Sequence, residues 1–234
     1  MKNNTIILVL FILWITTPAF AVKNVLILGD SHFVGSFGEY VHKNLHETNK
    51  YDLLSVAISG AGSKHFTLTL KNFCCGYKIR FSCAGKGELG VQDSKKSNIY
   101  ILEKSATGTN GVIGKTWKGK LPVLLSTWMP DVVIFSLGSN NVNAHQALVD
   151  IIRLYRLDLP IIWIGPFKRK GNLERYKLIE KTVNENNNMH LVRSDDIIGH
   201  DTITMAHYYG KTAQKWANKV TERMKPILTE ILGE

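Results

Sequence analysis

Residues 25–35 read VLILGDSHFVG, and this stretch decides the fold class. Its first four residues are all aliphatic, which is typical of a parallel strand buried on both faces. The Gly-Asp-Ser turn that follows leads directly into apolar residues at helical spacing, at Phe37, Val41 and Leu45. A strand, a tight turn and a helix in this order predict the first unit of an α/β protein.

The same alternation continues along the chain. Helical spacing recurs at residues 147–154 and 173–183, between apolar runs that end in turn residues. These runs predict four further strands, at Leu53–Ile58, Val132–Leu137, Ile161–Ile164 and, more weakly, His190–Val192. Strands that alternate with helices predict a three-layer α/β/α sandwich with a mostly parallel five-stranded sheet, as in flavodoxin-like folds.

A last helix is predicted to begin near Lys211, because apolar residues repeat at helical spacing from Ala213 to Met224. Pro226 is expected to kink or end this helix, since proline lacks the backbone N–H that the helix needs. The helix should pack on one face of the sheet.

Residues 64–120 interrupt the alternation. They are rich in Gly, Lys and Ser and lack clean periodicity, apart from a candidate strand at Lys78–Cys83. We interpret the segment as an insertion, because a loop of this length inside a compact domain is unusual. Since it follows the second strand, we expect it to lie over the carboxyl edge of the sheet, where the active site is also expected.

Residues 1–21 have the pattern of a bacterial secretory signal peptide. Lys2 precedes an apolar run from Ile6 to Ile15, and Ala19-Phe20-Ala21 supplies a cleavage site. The run is shorter than the roughly 20 residues that a transmembrane helix needs. We therefore expect an exported protein, periplasmic or secreted, with no stable membrane anchor. Residues 22–234 are expected to form a single domain.

Basic residues outnumber acidic ones by 29 to 19, and the formal net charge of the full chain is +10. A positive excess of this size favours anionic partners, such as cell-wall polymers and acidic glycans. An exported protein rarely meets nucleic acid as its target, and scattered lysines are typical of solvated helix surfaces. We therefore expect no nucleic-acid partner.

Three cysteines, Cys74, Cys75 and Cys83, lie close together in the sequence. An exported chain oxidises such thiols, so we predict one disulfide between Cys83 and either Cys74 or Cys75. Adjacent cysteines lack the spacing of zinc ligands, and no metal site is predicted.

Ser31 follows the first strand and precedes the first helix. A serine in this turn is exposed at the carboxyl edge of a parallel sheet, where the positive end of the helix stabilises developing negative charge. The simpler interpretation is an ordinary helix cap, because Ser and Asp are common at that position.

Three other turns are expected at the same edge. The second strand ends at Gly60, where glycine lets a backbone N–H approach a substrate closely. The third strand ends in Gly138-Ser139-Asn140-Asn141, and an asparagine amide can donate a hydrogen bond to an oxyanion. His207 stands just before the last helix.

Together these positions resemble the sequence blocks of the SGNH (GDSL-like) hydrolase family, over nearly the whole mature chain. Gly29-Asp30-Ser31 matches block I, Gly60 block II, Gly138–Asn141 block III and His207 block V. The resemblance implies that Ser31 is the nucleophile and His207 the general base. It also implies oxyanion donors at the N–H groups of Ser31 and Gly60 and the Asn140 side chain, and no metal or organic cofactor.

The sequence departs from the family pattern at the third member of the catalytic triad. The family usually places an Asp three residues before the His, where this chain has Thr204. Asp201 is the nearest carboxylate upstream and is the candidate replacement. The alternatives are a Ser-His dyad, in which a backbone carbonyl orients the imidazole, and loss of activity.

The resemblance therefore implies an exported serine esterase that works by two-step acyl transfer. Export and positive charge favour the removal of O-acetyl groups from a cell-wall or surface polysaccharide. A lipase or lysophospholipase of the same fold is the alternative enzyme. A non-catalytic glycan-binding protein that has lost the triad Asp is the alternative outside catalysis.

Overall fold

A mixed β-sheet forms the centre of the molecule. The computed structural model describes residues 22–70, 76–87, 89–94, 120–167, 172–198 and 207–233. Within these residues the sheet has seven strands, in the spatial order β4-β3-β2-β1-β5-β6-β7. They are β1 (Lys23–Gly29), β2 (Tyr51–Ile58), β3 (Tyr77–Ser82), β4 (Leu89–Ser94), β5 (Val132–Ser136), β6 (Ile161–Ile164) and β7 (Met189–Val192).

Strands β2, β1, β5, β6 and β7 are parallel, and all five were predicted from their apolar runs. The predicted number of strands is wrong, because β3 and β4 add an antiparallel hairpin beside β2. Strand β3 alternates apolar and polar residues, and it corresponds to the candidate strand at Lys78–Cys83. Strand β4 was missed, since its sequence, LGVQDS, contains few strongly apolar residues.

Helices cover both faces of the sheet. They are α1 (Ser31–Val34), α2 (Ser36–His46), α3 (Ser63–Phe66), α4 (Leu121–Trp128), α5 (His145–Tyr155), α6 (Asn172–Asn184) and α7 (Gly210–Leu232). Helices α4, α5 and α6 share one apolar core with the sheet, and α2 and α7 share the core on the opposite face. The predicted three-layer α/β/α sandwich is confirmed.

The two cores explain why residues 25–28 of β1 form an unbroken apolar run. Val25 and Ile27 pack against the layer of α2 and α7, whereas Leu26 and Leu28 pack against the opposite layer. Successive side chains of a strand point to opposite faces, so a strand covered on both faces needs apolar residues at every position. The central position of β1 places the Gly-Asp-Ser turn in the middle of the carboxyl edge.

Helix α7 does not end at Pro226 but continues to Leu232. Leu228 and Leu232 are buried in the same core as Trp216, Val220 and Met224. Burial of a fully apolar side chain stabilises by about 1.5–3 kcal/mol, which is comparable to the cost of about 3 kcal/mol for a proline inside a helix. None of the described helices is both long and apolar enough to cross a membrane.

Several predictions fall on residues outside the described ranges. The predicted signal peptide is one of them, and export stays a prediction. Within the predicted insertion, residues 77–82 and 89–94 extend the sheet beyond β2, and α4 begins at its end. Cys83 is buried directly after β3, whereas Cys74 and Cys75 lie outside the described ranges, so the disulfide also stays a prediction.

Candidate active site

The turn between β1 and α1 is held by Asp30. Its carboxylate accepts a hydrogen bond from the His32 backbone N–H at 2.9 Å. Its carbonyl oxygen accepts two more from the N–H groups of Phe33 and Val34, both at 3.0 Å. Asp30 is therefore the N-cap of α1, and Ser31 is its first helical residue. Because Asp30 fills the capping position, the interpretation of Ser31 as an ordinary cap is wrong.

Ser31 is half-buried and lines a cavity of about 250 Å³ at the carboxyl edge of the sheet. The cavity brings together the turn after β1, the turn after β2 and the residues before α7. The described residues that line it are Ser31, His32, Val34, Gly35, Ser59, His207, Tyr208 and Tyr209. The predicted nucleophile and the predicted general base thus share one cavity, although they are far apart in sequence.

The position of His207 is defined by aromatic packing. Its ring lies 4.8 Å from that of His32 and 6.4 Å from that of Tyr209, centroid to centroid. His32 is only 5% exposed, and its ring makes edge contacts with Phe167 at 5.0 Å and Trp216 at 5.5 Å. His207 therefore packs beside an aromatic cluster that is anchored by α7.

The Asn140 side chain joins the loops that follow β5 and β2. Its Nδ2 donates a hydrogen bond to the Ala61 carbonyl at 2.8 Å. The Ala144 N–H also donates to the Ser63 hydroxyl at 2.7 Å, which ties the same two loops together. A carboxamide nitrogen carries two hydrogens, so one N–H of Asn140 stays available for a second acceptor.

The backbone conformation after β2 requires glycine at two positions. Gly60 has a φ of +77°, in the left-handed region that a side chain disfavours. At Gly62 a Cβ atom would lie 2.3 Å from the Val142 carbonyl oxygen, so any side chain would force the two loops apart. Gly60 stands between Ser59, which lines the cavity, and Ala61, which accepts the hydrogen bond of Asn140.

Asp30 connects the turn after β1 to the loop after β5. The carboxyl group is 1% exposed and accepts hydrogen bonds from both the backbone and the side chain of Ser139. Loss of solvation raises its pKa from 3.8 to about 7, although the hydrogen bonds from His32 and Ser139 act in the opposite direction. A buried titratable group therefore connects the residue before Asn140 to the residue before Ser31.

Asp30 and Ser139 were quoted in the sequence motifs, but no role was assigned to them. The position of Asp30 between a strand end and a serine is equally typical of a helix N-cap. Its interaction with Ser139 could therefore not be inferred from the sequence. Tyr209 and Ser59 were likewise missed as cavity residues, because they only flank the motif positions. The sequence indicated these residues only by their positions, since Ser59 precedes Gly60 and Tyr209 lies two residues after His207.

Asp201, the candidate third member of the triad, lies outside the described residues, as does Thr204. Its role stays a prediction. Among the described residues, no group of His, Cys, Asp and Glu side chains is arranged to hold a metal ion.

No protein-family model and no curated protein sequence matches this chain. Among solved structures, the chain is similar to a family 3 carbohydrate esterase from Clostridium thermocellum, with a TM-score of 0.52 and 14% sequence identity. The match covers 90% of this chain and 99% of that esterase. The chain therefore shares the fold of that esterase.

Two further structures are similar at lower TM-scores. One is a GDSL-like lipase from Bacteroides ovatus, with a TM-score of 0.45 and 12% identity over 90% of this chain and 54% of that chain. The other is an acetyl esterase variant with an acetate ion, with a TM-score of 0.47 and 11% identity over 89% of this chain and 99% of that chain. In the fold of this chain, Ser31 and His207 lie at the carboxyl edge of the sheet.

Proposed function

We propose that the protein is a serine ester hydrolase with Ser31 as nucleophile and His207 as general base. The shared cavity is the observation that carries this proposal, since both side chains line it. Ser31 is the first residue of α1, and it therefore lies at the positive end of the dipole of that turn. A nucleophile beside a base in a polar turn of this kind is the arrangement that acyl transfer requires.

The reaction proceeds in two steps. His207 takes the proton of the Ser31 hydroxyl as its oxygen attacks the ester carbonyl, and the ester C–O bond breaks when His207 returns the proton to the leaving alcohol. Water then attacks the acyl-enzyme, with His207 again acting as base. The acyl group leaves as a carboxylic acid and Ser31 regains its proton.

The oxyanion of each tetrahedral intermediate is stabilised by donors from three loops. These are the N–H groups of Ser31 and Gly60 and the second N–H of the Asn140 amide. The hydrogen bond from Asn140 to the Ala61 carbonyl supports this assignment, because it fixes which end of the amide is the donor. A donor held in place before the reaction costs little reorganisation in the transition state.

The proposed substrate is an O-acetyl ester on a cell-wall or surface polysaccharide, which the protein meets after export. The cavity volume of about 250 Å³ supports a short acyl group. It lies below the range of about 300–1,000 Å³ that is usual for drug-sized ligands. The positive net charge favours an anionic polymer. The structural similarity to a carbohydrate esterase is consistent with a sugar ester.

The experiment that tests the proposal compares a nitrophenyl acetate with a long-chain nitrophenyl ester, for the mature protein and two variants. Ser31→Ala is expected to abolish acetate release. Ser59→Ala is the matched control, because Ser59 lines the same cavity without being the proposed nucleophile. It should retain turnover.

The other outcomes distinguish the proposed substrate from the alternative functions. Faster turnover of the long-chain ester would favour the lipase or lysophospholipase alternative. Absence of turnover for every ester, together with binding of an acetylated polysaccharide, would favour the non-catalytic glycan-binding alternative. Acetate release from an acetylated polysaccharide by the wild type, but not by Ser31→Ala, would support the substrate assignment.

A further inference from the structure

Arg80 is a buried arginine on the antiparallel part of the sheet. It lies on β3 opposite Ser55 of β2, and it is 1% exposed. Its neighbours in β3, Ile79 and Phe81, pack in the core beside α4, α5 and α6. Because side chains alternate along a strand, Arg80 points toward the opposite layer, which contains α1 and α2.

The Arg80 guanidinium binds the last carbonyl groups of α1, the turn that carries Ser31. Its Nη1 donates to the Phe33 carbonyl at 2.7 Å, and its Nη2 donates to the Val34 carbonyl at 2.9 Å. A longer contact of 3.4 Å joins Nη2 to the Gly35 carbonyl. These carbonyls belong to the C-terminal end of α1, where a helix leaves acceptors without intrahelical partners.

The same turn carries Ser31 at its other end. The Gly35 N–H donates to the Ser31 carbonyl at 3.1 Å, which closes the turn. Helix α1 has a single turn of four residues, too short to be stable by its own hydrogen bonds. Asp30 fixes its beginning and Arg80 fixes its end, so the backbone of Ser31 is held from both sides.

A neutral histidine supports Arg80 from α2. His42 Nδ1 is 2.6 Å from the Ser55 hydroxyl, and Nε2 is 3.2 Å from the Ser82 hydroxyl. Burial, and secondarily the positive charge of Arg80, lowers the pKa of His42 to about 3. His42 therefore stays uncharged, and it joins β2 to the strand that carries Arg80.

We infer that Arg80 is a positioning residue for the nucleophile, acting through the α1 backbone and not through the substrate. Its role rests on the proposed role of Ser31. A lysine at this position keeps the positive charge but cannot present the fork of donors that binds two carbonyls at once. Displacement of the nucleophile should then slow the acyl-transfer step and leave substrate binding unchanged.

The test is the steady-state hydrolysis of a nitrophenyl acetate by Arg80→Lys. We expect kcat to fall about 10- to 100-fold with KM unchanged, because small displacements of reacting groups cost rate on this scale. The rate at which a fluorophosphonate labels Ser31 should fall by the same factor. The dependence of activity on pH should keep its shape, since His207 is untouched.

Arg153→Lys is the matched control. Arg153 also donates to two backbone carbonyls, those of Leu159 and Asn187, which precede β6 and β7 at the opposite edge of the sheet. Its variant should lose thermal stability but retain kcat. A uniform fall in kcat in both variants would show a general effect of stability and would overturn the inference.

Arg80→Met is the second variant, because it keeps an unbranched side chain but has no donor for the carbonyls of α1. It should retain less activity than Arg80→Lys, which keeps an ammonium donor, if the hydrogen bonds are what matters. Wild-type kcat in folded Arg80→Lys, or failure of both Arg80 variants to fold, would contradict a specific positioning role. If the role of Ser31 itself were wrong, Ser31→Ala would retain turnover, and that outcome is separate from all of these.

Discussion

Asp30 accepts hydrogen bonds from both the backbone and the side chain of Ser139. The residue before the proposed nucleophile is thereby bonded to the residue before Asn140, the proposed oxyanion donor. Because the Asp30 carboxyl group is only 1% exposed, this contact holds the two loops together. Contacts between the neighbours of the proposed reacting groups therefore also orient the site.

The buried carboxyl group of Asp30 should make stability depend on pH. Its pKa is raised from 3.8 to about 7 in the folded protein, so folding favours its protonated form. The resulting stabilisation is present below pH 4 and is lost as the pH rises to about 7, by about 4 kcal/mol. The asparagine in Asp30→Asn cannot ionise, so the free energy of unfolding of this variant should lack that dependence on pH. Urea denaturation of both proteins between pH 4 and pH 8 measures the difference.

Asp158→Asn is the control for this measurement, because the Asp158 carboxylate is exposed. Its unfolding free energy should follow that of the wild type at every pH. If the wild type and Asp30→Asn lost stability in parallel between pH 4 and pH 7, the titration of Asp30 would not be the cause.

Asn140→Ala should lower kcat by about 100- to 1,000-fold with little effect on KM, since an oxyanion donor acts on charge that develops in the transition state. Asn141→Ala is the control, because Asn141 is adjacent and exposed. Steady-state kinetics with an aryl acetate distinguish the two. A rise in KM alone for Asn140→Ala would make Asn140 a substrate-binding group.

Gly60→Ala should lower both stability and turnover. A side chain at a φ of +77° is strained by roughly 1–2 kcal/mol, and relief of that strain would move the backbone N–H away from the oxyanion. Gly85→Ala is the matched control, since Gly85 also has a positive φ, of +69°, but lies in open space after β3. It should lose stability and keep its kcat. Equal kcat values for the two variants would exclude a donor role for Gly60.

The third member of the triad is tested by two substitutions. If Asp201 orients His207, Asp201→Asn should reduce kcat by up to about 10,000-fold, whereas in a dyad the change should have little effect. Thr204→Asp places the acid at the spacing of the family and should raise activity in the dyad case. Wild-type kcat in both variants would mean that neither position supplies an orienting acid.

The five parallel strands were predictable because β1 and its neighbours are buried on both faces and therefore read as unbroken apolar runs. The β3–β4 hairpin was not, since its outer strand has few apolar residues and its pairing with β2 is a long-range contact. Continuation of α7 beyond Pro226 was also missed. The burial of Leu228 and Leu232 that accompanies it depends on tertiary packing, which local propensity does not report.

The shared location of Ser31 and His207 was predictable from the order of turns along the chain, because carboxyl ends of parallel strands meet at one edge. The supporting contacts were not predictable in the same way. Arg80 is one alternating residue in a short strand, and only the packing of β3 against α1 shows that it binds the turn that carries Ser31. The link from Asp30 to Ser139 likewise joins two segments that are more than a hundred residues apart in the sequence.

The most direct test of the proposed function is to treat the protein with a fluorophosphonate and map the adduct by mass spectrometry. The proposed mechanism predicts one modified residue, Ser31, with loss of esterase activity in proportion to labelling. His207→Ala should slow the labelling strongly, because the hydroxyl then lacks its base. Labelling at a different residue, or full esterase activity in protein labelled completely at Ser31, would contradict the assignment of Ser31 as the nucleophile.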